Sequence, residues 1–186
     1  LILKAEPDSR PVSEDLRRML MELAALTDKL TVEWTPPSDG PERPCVRVLR
    51  ADGTDTGIAF HGVPGGHEFN SFVVGLYNAA GPGQSIDPAL AEAIAAIDRP
   101  LDLQIVVALS CTMCPELVIA AQKIAASNPL VTAKVYDVNH FPELRERYKI
   151  MSVPCLIINK AKVAFGKKTL GQLLELLAEP EDGQTG

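Results

Sequence analysis

The chain of 186 residues lacks three things: an excess of basic charge, long apolar runs and a high cysteine content. Its net charge is -6 at pH 7, and without a basic face we expect it to bind neither nucleic acid nor an anionic membrane surface. No apolar run approaches the roughly 18 residues that a membrane-spanning helix needs. Four cysteines are too few for a disulfide-stapled secreted domain, which favours a reducing, cytoplasmic setting.

An initiator methionine and a secretory signal are also missing from the sequence. Residues 1–4 already have strand character, so we expect the chain to be a fragment or a processed product of a longer protein. With 46% apolar and 23% charged residues, the composition is that of a globular protein with one large domain or two small ones.

Hydrophobic periodicity in the second half predicts the order β-α-β-α-β-β-α. The predicted strands are residues 101–109, 130–138, 155–159 and 162–165, and the predicted helices are residues 115–127, 141–148 and 169–177. This is the element order of the thioredoxin fold.

The first half matches the second as a partial repeat. Its predicted strands are residues 1–4, 30–34, 45–49 and 57–60, and its predicted helices are residues 14–27, with Ser13 as N-cap, and 69–77. The segment that starts at Pro44 matches the one that starts at Pro154, and Pro11 matches Pro115. On that alignment residues 7–10 take the place of the Cys-x-x-Cys, and a Pro-rich segment replaces one helix.

We therefore predict an α/β chain of two fused thioredoxin-like folds, only the second with a Cys-x-x-Cys. The predicted domains are a fold without a dithiol at 1–80, a linker with a bridging helix at 81–98, a fold with the dithiol at 99–180 and a tail at 181–186.

Cys111 and Cys114 flank Thr112 and Met113 between a predicted strand and a predicted helix. A thiol near the N-cap of a helix has a pKa below the free value of about 8.5, so we expect Cys111 to attack and a buried Cys114 to resolve the mixed disulfide. Half of a zinc site, or two structural cysteines, are the alternatives. Completing a zinc site would need ligands from scattered residues, namely Cys45, Cys155, His61, His67 and His140.

Pro154 opens a predicted strand about forty residues after the dithiol. From its position we expect a cis Val153–Pro154 bond facing the cysteines, which leaves the backbone of Val153 free to pair with an extended partner segment. The alternative is a trans proline that starts an edge strand.

A buried resolving thiol needs a proton acceptor. The position six residues before the first cysteine, where thioredoxins commonly place an acid, is Ile105. Glu68, at the start of the last helix of the first half, is the best candidate. Its alternative role is that of a first-turn carboxylate that complements the helix dipole.

Four segments together resemble the N-terminal domain of the flavoprotein subunit of alkyl hydroperoxide reductase, and the resemblance extends from residue 1 to about residue 177. These segments are LSCTMCP at 109–115, FHGVPGGHEF at 60–69, SVP at 152–154 and ELAALTDK at 22–29. The resemblance implies two fused thioredoxin folds with one dithiol, a place for Glu68 near Cys114, and a bacterial cytoplasmic protein. Val153, Pro154, Thr112 and Met113 would contact the substrate.

The same resemblance implies an electron relay from a thioredoxin-reductase-like flavin domain to the disulfide of an AhpC-like peroxiredoxin. The redox group of this chain would be the Cys111–Cys114 disulfide. FAD and NAD(P)H are expected on a partner or on a flavin domain, because no G-x-G-x-x-G fingerprint occurs here. Cys155 directly follows the predicted cis-proline, and either a third redox thiol or a small buried apolar residue fits there.

Two other functions remain open at this point. One is a stand-alone protein disulfide oxidoreductase or glutaredoxin-like protein, although such tandem proteins often carry a dithiol in each half. The other is a non-catalytic binding module that keeps the fold and retains a structural disulfide.

Overall fold

The computed structural model describes residues 1–180, and the predicted tail at 181–186 lies outside the described residues. The strands are β1 (Ile2–Glu6), β2 (Thr31–Trp34), β3 (Cys45–Leu49), β4 (Asp55–His61), β5 (Leu101–Val107), β6 (Val131–Asp137), β7 (Cys155–Ile158) and β8 (Lys162–Phe165). The helices are α1 (Val12–Ala25), α2 (Glu68–Ala80), α3 (Pro88–Ala95), α4 (Cys114–Ser127), α5 (Pro142–Tyr148) and α6 (Leu170–Ala178).

All these strands belong to one sheet in the order β2-β1-β3-β4-β6-β5-β7-β8. In each half the first strand pairs in parallel with the second and antiparallel with the third, which in turn pairs antiparallel with the fourth. This shared topology confirms the prediction of two fused thioredoxin-like folds. The halves are joined where β4 pairs in parallel with β6, with Phe60 opposite Val135.

The two faces of the sheet are covered unequally. The main core contains side chains from α1, α2, α3, α4 and α6, packed on one face. A smaller cluster lies on the other face, where α5 contributes Leu144. The first half has no helix on that face, because residues 35–44 form a loop that contains four prolines.

Helix starts differ from the sequence predictions at two places. Ser13 is not an N-cap: α1 starts at Val12, and the Ser13 hydroxyl donates a hydrogen bond of 2.8 Å to Asp8 instead. The helix predicted from residue 115 starts at Cys114, with Met113 as its N-cap. Cys111 therefore precedes the helix by three residues rather than lying at its cap.

Within residues 1–180 no helix is long and apolar enough to cross a membrane. The helix predicted at 88–97 is present as α3 and packs against α4 and α6. The domain boundaries after residues 80 and 98 stay a prediction.

Candidate active site

The two cysteines of the Cys-x-x-Cys form a disulfide with a Cα–Cα distance of 5.6 Å. Cys111 lies in the loop that follows β5, where its amide donates to the carbonyl of Ala108, and its side chain is partly exposed. Cys114, the first residue of α4, is fully buried in the main core. One sulfur is therefore open to an incoming molecule, and the other is reached only through it.

The loop before β7 faces this disulfide. The Val153–Pro154 peptide bond is cis, as predicted from its position, and the carbonyl oxygen of Val153 lies 3.9 Å from Cys111 Sγ. The β7 ladder begins at Cys155, so Val153 lies outside it, next to the accessible sulfur.

Glu68 is fully buried at the first position of α2. Its carboxylate accepts a hydrogen bond from the Ser71 hydroxyl, whereas Oε1 has no hydrogen-bond partner within residues 1–180. Burial raises the pKa of Glu68 to about 7, although the Ser71 hydrogen bond opposes that rise. A carboxyl group with this pKa can accept and release a proton near neutral pH.

The packing of α2 on α4 places Glu68 level with the second cysteine. The start of α2 is tied to the loop before the dithiol, because the amide of His67 donates a 2.9 Å hydrogen bond to the carbonyl of Leu109. Further along, Gly75 packs directly against the side chain of Gln122, so the two helices run in the same direction. Counting seven residues back along both helices pairs Glu68 with Pro115, which adjoins Cys114.

Other sequence candidates lie apart from this site. Cys155 is buried in the cluster on the α5 face, opposite the core that holds Cys114, and burial raises its pKa to about 11. Cys45 is buried as well, and its pKa is raised to about 12, first by burial and then by Glu6. No group of three or more histidine, cysteine or acidic side chains comes together in residues 1–180 as a metal site would require.

Comparison with known proteins agrees with this geometry. A family model described as a thioredoxin domain matches residues 101–178. A crystal structure of the NTD_N/C domain of alkylhydroperoxide reductase AhpF from Enterococcus faecalis superposes with a TM-score of 0.89 at 37% identity, covering 95% of this chain and 90% of that one. The chain belongs to the AhpF N-terminal domain family.

Longer relatives match over almost the whole chain. The alkyl hydroperoxide reductase AhpF protein of Pseudomonas aeruginosa is 32% identical over 96% of this chain. A protein named NADH dehydrogenase from Ferdinandcohnia aciditolerans is 31% identical over 98% of it. The chain spans about a third of the length of these relatives, 33% and 34% respectively. Fold, disulfide and family together make this AhpF-type domain a thiol–disulfide oxidoreductase.

In this AhpF-type domain the link between Glu68 and the dithiol loop depends on a glycine. Gly66 has φ +53°, and a Cβ there would lie 2.5 Å from the Leu109 carbonyl oxygen that the next amide binds. We expect Gly66→Ala to lower the free energy of unfolding by about 1–3 kcal/mol and to slow disulfide transfer by displacing the start of α2. Urea denaturation and a transfer assay measure the two effects.

The neighbouring residue Gly65 supplies the matched control. Its φ is not in the left-handed region, and a Cβ there would meet nothing closer than 3.8 Å. Gly65→Ala should therefore change stability by less than about 1 kcal/mol. Equal losses in the Gly65 and Gly66 variants would show that the close approach to Leu109 is unimportant.

In the AhpF-type first half the dithiol position holds an ionic network. Asp8, 8% exposed, accepts hydrogen bonds from the Ser13 hydroxyl and from Arg10 Nε at 2.6 Å. Burial alone would raise the pKa of Asp8, but these hydrogen bonds outweigh it and hold that pKa below its ordinary value. The Arg10 guanidinium also donates to the carbonyls of Arg43, whose bond to the next proline is cis, and of His140 in the second half.

This network joins the two halves where the second half binds its disulfide instead. The guanidinium carbon of Arg10 lies 5.6 Å from the ring centre of Phe141, just before α5. The sequence alignment placed Arg10 over Cys114, but nothing in the pattern indicated that one side chain would bind both halves. Proximity of acidic and basic residues at 8 and 10 was the available signal.

We expect Arg10→Met to destabilise the chain by about 1–3 kcal/mol, because a buried carboxylate loses its charged partner. The carboxylate of Asp8 contributes stability above its unfolded pKa of about 3.9, and that contribution is lost as pH falls through the lower folded value. The variant should therefore show a shallower loss of stability in acid. Denaturant titrations at several pH values provide the measurement.

Arg18→Met is the matched control, because Arg18 is 69% exposed and its carboxylate contact, at 3.5 Å, is with Asp15 on the helix surface. Its loss should cost no more than about 0.5 kcal/mol. An Arg10 variant as stable as the Arg18 variant would rule out a clamp between the halves.

Proposed function

We propose that the Cys111–Cys114 pair relays two electrons from the dithiol of a thioredoxin-reductase-like flavin domain to the disulfide of a peroxiredoxin. The observation that carries this proposal is the asymmetry of the pair: a partly exposed Cys111 faces the cis-proline loop, while Cys114 is fully buried. Disulfide exchange needs this arrangement of one accessible and one resolving sulfur.

In the proposed cycle the reduced domain acts first through Cys111. Its thiolate attacks one sulfur of the acceptor disulfide, forming a mixed disulfide and releasing the other acceptor sulfur as a thiolate. Cys114 then gives its proton to the Glu68 carboxylate and attacks Cys111 Sγ. The mixed disulfide breaks, the acceptor leaves as a dithiol that has gained two electrons, and the Cys111–Cys114 disulfide closes.

The acceptor is held, in this proposal, along the loop before β7. Val153 presents its backbone outside the β7 ladder, and an extended segment of the acceptor pairs with it as a short added strand. Pro154 keeps that backbone against the dithiol, and the exposed side chains of Thr112 and Met113 border the segment from the other side.

We place the flavin chemistry outside these residues. FAD and NAD(P)H would be bound by a flavin domain, either on a partner or on another part of a longer polypeptide, and hydride transfer there would supply the electrons. A cytoplasmic location is part of the same proposal, because the free thiols of Cys45 and Cys155 suit a reducing compartment.

Reconstitution tests this assignment. A thioredoxin-reductase-like flavoprotein, NAD(P)H, this chain, a peroxiredoxin and a hydroperoxide are mixed, and oxidation of the nucleotide is followed by its absorbance. We expect oxidation only when both this chain and the peroxiredoxin are present. Oxidation that proceeds with insulin as acceptor but never with a peroxiredoxin would favour a stand-alone disulfide oxidoreductase.

A further inference from the structure

The chain has four methionines, and two of them lie beside the disulfide. Met113, between the cysteines, is 52% exposed, and Met151, just before the cis-proline loop, is 93% exposed. Large apolar side chains are rarely left this open on both sides of a reactive group without a use. Of the other two methionines, Met21 lies on α1 of the first half and is also 52% exposed.

Backbone geometry fixes how near these side chains are to the reacting sulfur. Met113 is two residues from Cys111, and Met151 is two residues from Val153, whose carbonyl lies 3.9 Å from Cys111 Sγ. Two residues span at most about 7 Å of chain. Both thioethers therefore border the surface that any acceptor must cover to reach Cys111, one from each side.

Thioether sulfur is oxidised by hydroperoxides, whereas a disulfide and buried thiols are protected from them. In the oxidised domain Cys111 and Cys114 are joined, and Cys45 and Cys155 are buried. The exposed methionines are then the sulfur atoms open to the peroxide. Each oxidation would turn a flexible apolar side chain into a polar one at the rim of the site.

We infer that Met113 and Met151 are oxidation sites through which a hydroperoxide closes the domain to its protein acceptor. In the reaction the O–O bond of the hydroperoxide breaks and an S–O bond forms. The sulfur loses two electrons, and the hydroperoxide is reduced to an alcohol, or to water from hydrogen peroxide, that keeps the proton. The inference rests on the proposed function for the identity of the acceptor, but not for the chemistry at sulfur.

The test uses the disulfide form of the whole chain, treated with hydrogen peroxide at millimolar concentration and then freed of peroxide with catalase. Peptide mass spectrometry quantifies sulfoxide at each methionine. The domain is then reduced, and its rate of reduction of three acceptors is measured: a peroxiredoxin disulfide, insulin, and the small disulfide DTNB. Each protein is compared with its own untreated sample.

We expect the treated wild-type chain to reduce both protein acceptors roughly tenfold more slowly, in step with sulfoxide at Met113 and Met151. Reduction of DTNB should change by less than about twofold, because a small disulfide needs no rim contact. The double variant Met113→Leu, Met151→Leu should keep its own untreated rate after peroxide. Met21→Leu, which removes an equally exposed methionine far from the site, should give no protection.

Equal losses in the double variant and the wild-type chain would overturn the inference, as would a parallel loss with DTNB, which would place the damage at the dithiol. Its outcome is separable from that of the proposed function. If the untreated domain reduces insulin but no peroxiredoxin, the proposed acceptor is wrong, and the effect of sulfoxide is still decided by the insulin rates.

Discussion

Replacing Cys111 with serine is expected to lower electron transfer to a protein disulfide by roughly three orders of magnitude or more. The hydroxyl that takes its place does not ionise near neutral pH and cannot form the mixed disulfide. Cys114 cannot substitute for it, because its sulfur is fully buried in the main core. Stopped-flow measurement of acceptor reduction by the pre-reduced variant provides the rate.

The complementary variant Cys114→Ser should stop the reaction one step later. Cys111 still attacks the acceptor, but no second thiol releases it, so a covalent complex of about one acceptor per chain accumulates. Non-reducing electrophoresis and mass spectrometry detect this adduct to a chain of 20.0 kDa.

Cys45→Ala is the control for both variants, since Cys45 is buried at the corresponding strand of the first half. It should relay electrons at close to the wild-type rate and trap nothing. A Cys111→Ser chain that still relays electrons, or a Cys114→Ser chain that forms no adduct, would contradict the assigned order of attack.

Glu68→Gln is expected to slow transfer about 100-fold near neutral pH, within the range attributed to a positioned general base. Glutamine keeps the shape of the side chain but cannot accept the proton of Cys114. In the wild-type chain the rate should rise through a pH of about 7, the pKa of Glu68, and then level off. That inflection should be missing from the rate profile of the variant.

The stability of this variant should change in the opposite direction. The pKa of Glu68 is raised from 4.5 to about 7 by burial, so the folded state favours the protonated form. The stability that this preference supplies is fully present below pH 4.5 and is lost as pH rises towards 7. Above that value Glu68→Gln should unfold at higher denaturant concentration than the wild-type chain.

Glu116→Gln supplies the matched control, because Glu116 lies in the first turn of α4 and is exposed. A purely dipolar role would slow both glutamine variants by similar small factors. If Glu68→Gln transfers electrons at the wild-type rate and keeps the pH inflection, Glu68 is not the proton acceptor.

Much of the fold was predictable because local patterns and tertiary structure agree here. The period-two strands around Cys45 and Cys155 and the Leu-rich last helix follow from side chains that must face one core. The cis Val153–Pro154 bond was also inferred from position alone. The repeat was visible because matching prolines begin matching strands.

Other features depend on contacts that one segment cannot encode. Ser13 has the composition of an N-cap, but its hydroxyl is drawn to the buried carboxylate of Asp8. The joining of the halves through β4 and β6 pairs strands about seventy residues apart. Neither the tie of Arg10 to His140 nor the alignment of Glu68 with the dithiol helix leaves a periodic signal.

The central claim is that Cys111 alone is poised to attack, and alkylation of the reduced domain tests it most directly. The rate of iodoacetamide labelling is followed from pH 5 to pH 10, and each cysteine is assigned by peptide mass spectrometry. We expect Cys111 to be labelled first, with an apparent pKa below the free-thiol value of about 8.5, while Cys114 stays unlabelled on that timescale. Equal labelling of the two sulfurs, or an unshifted pKa at Cys111, would contradict the account.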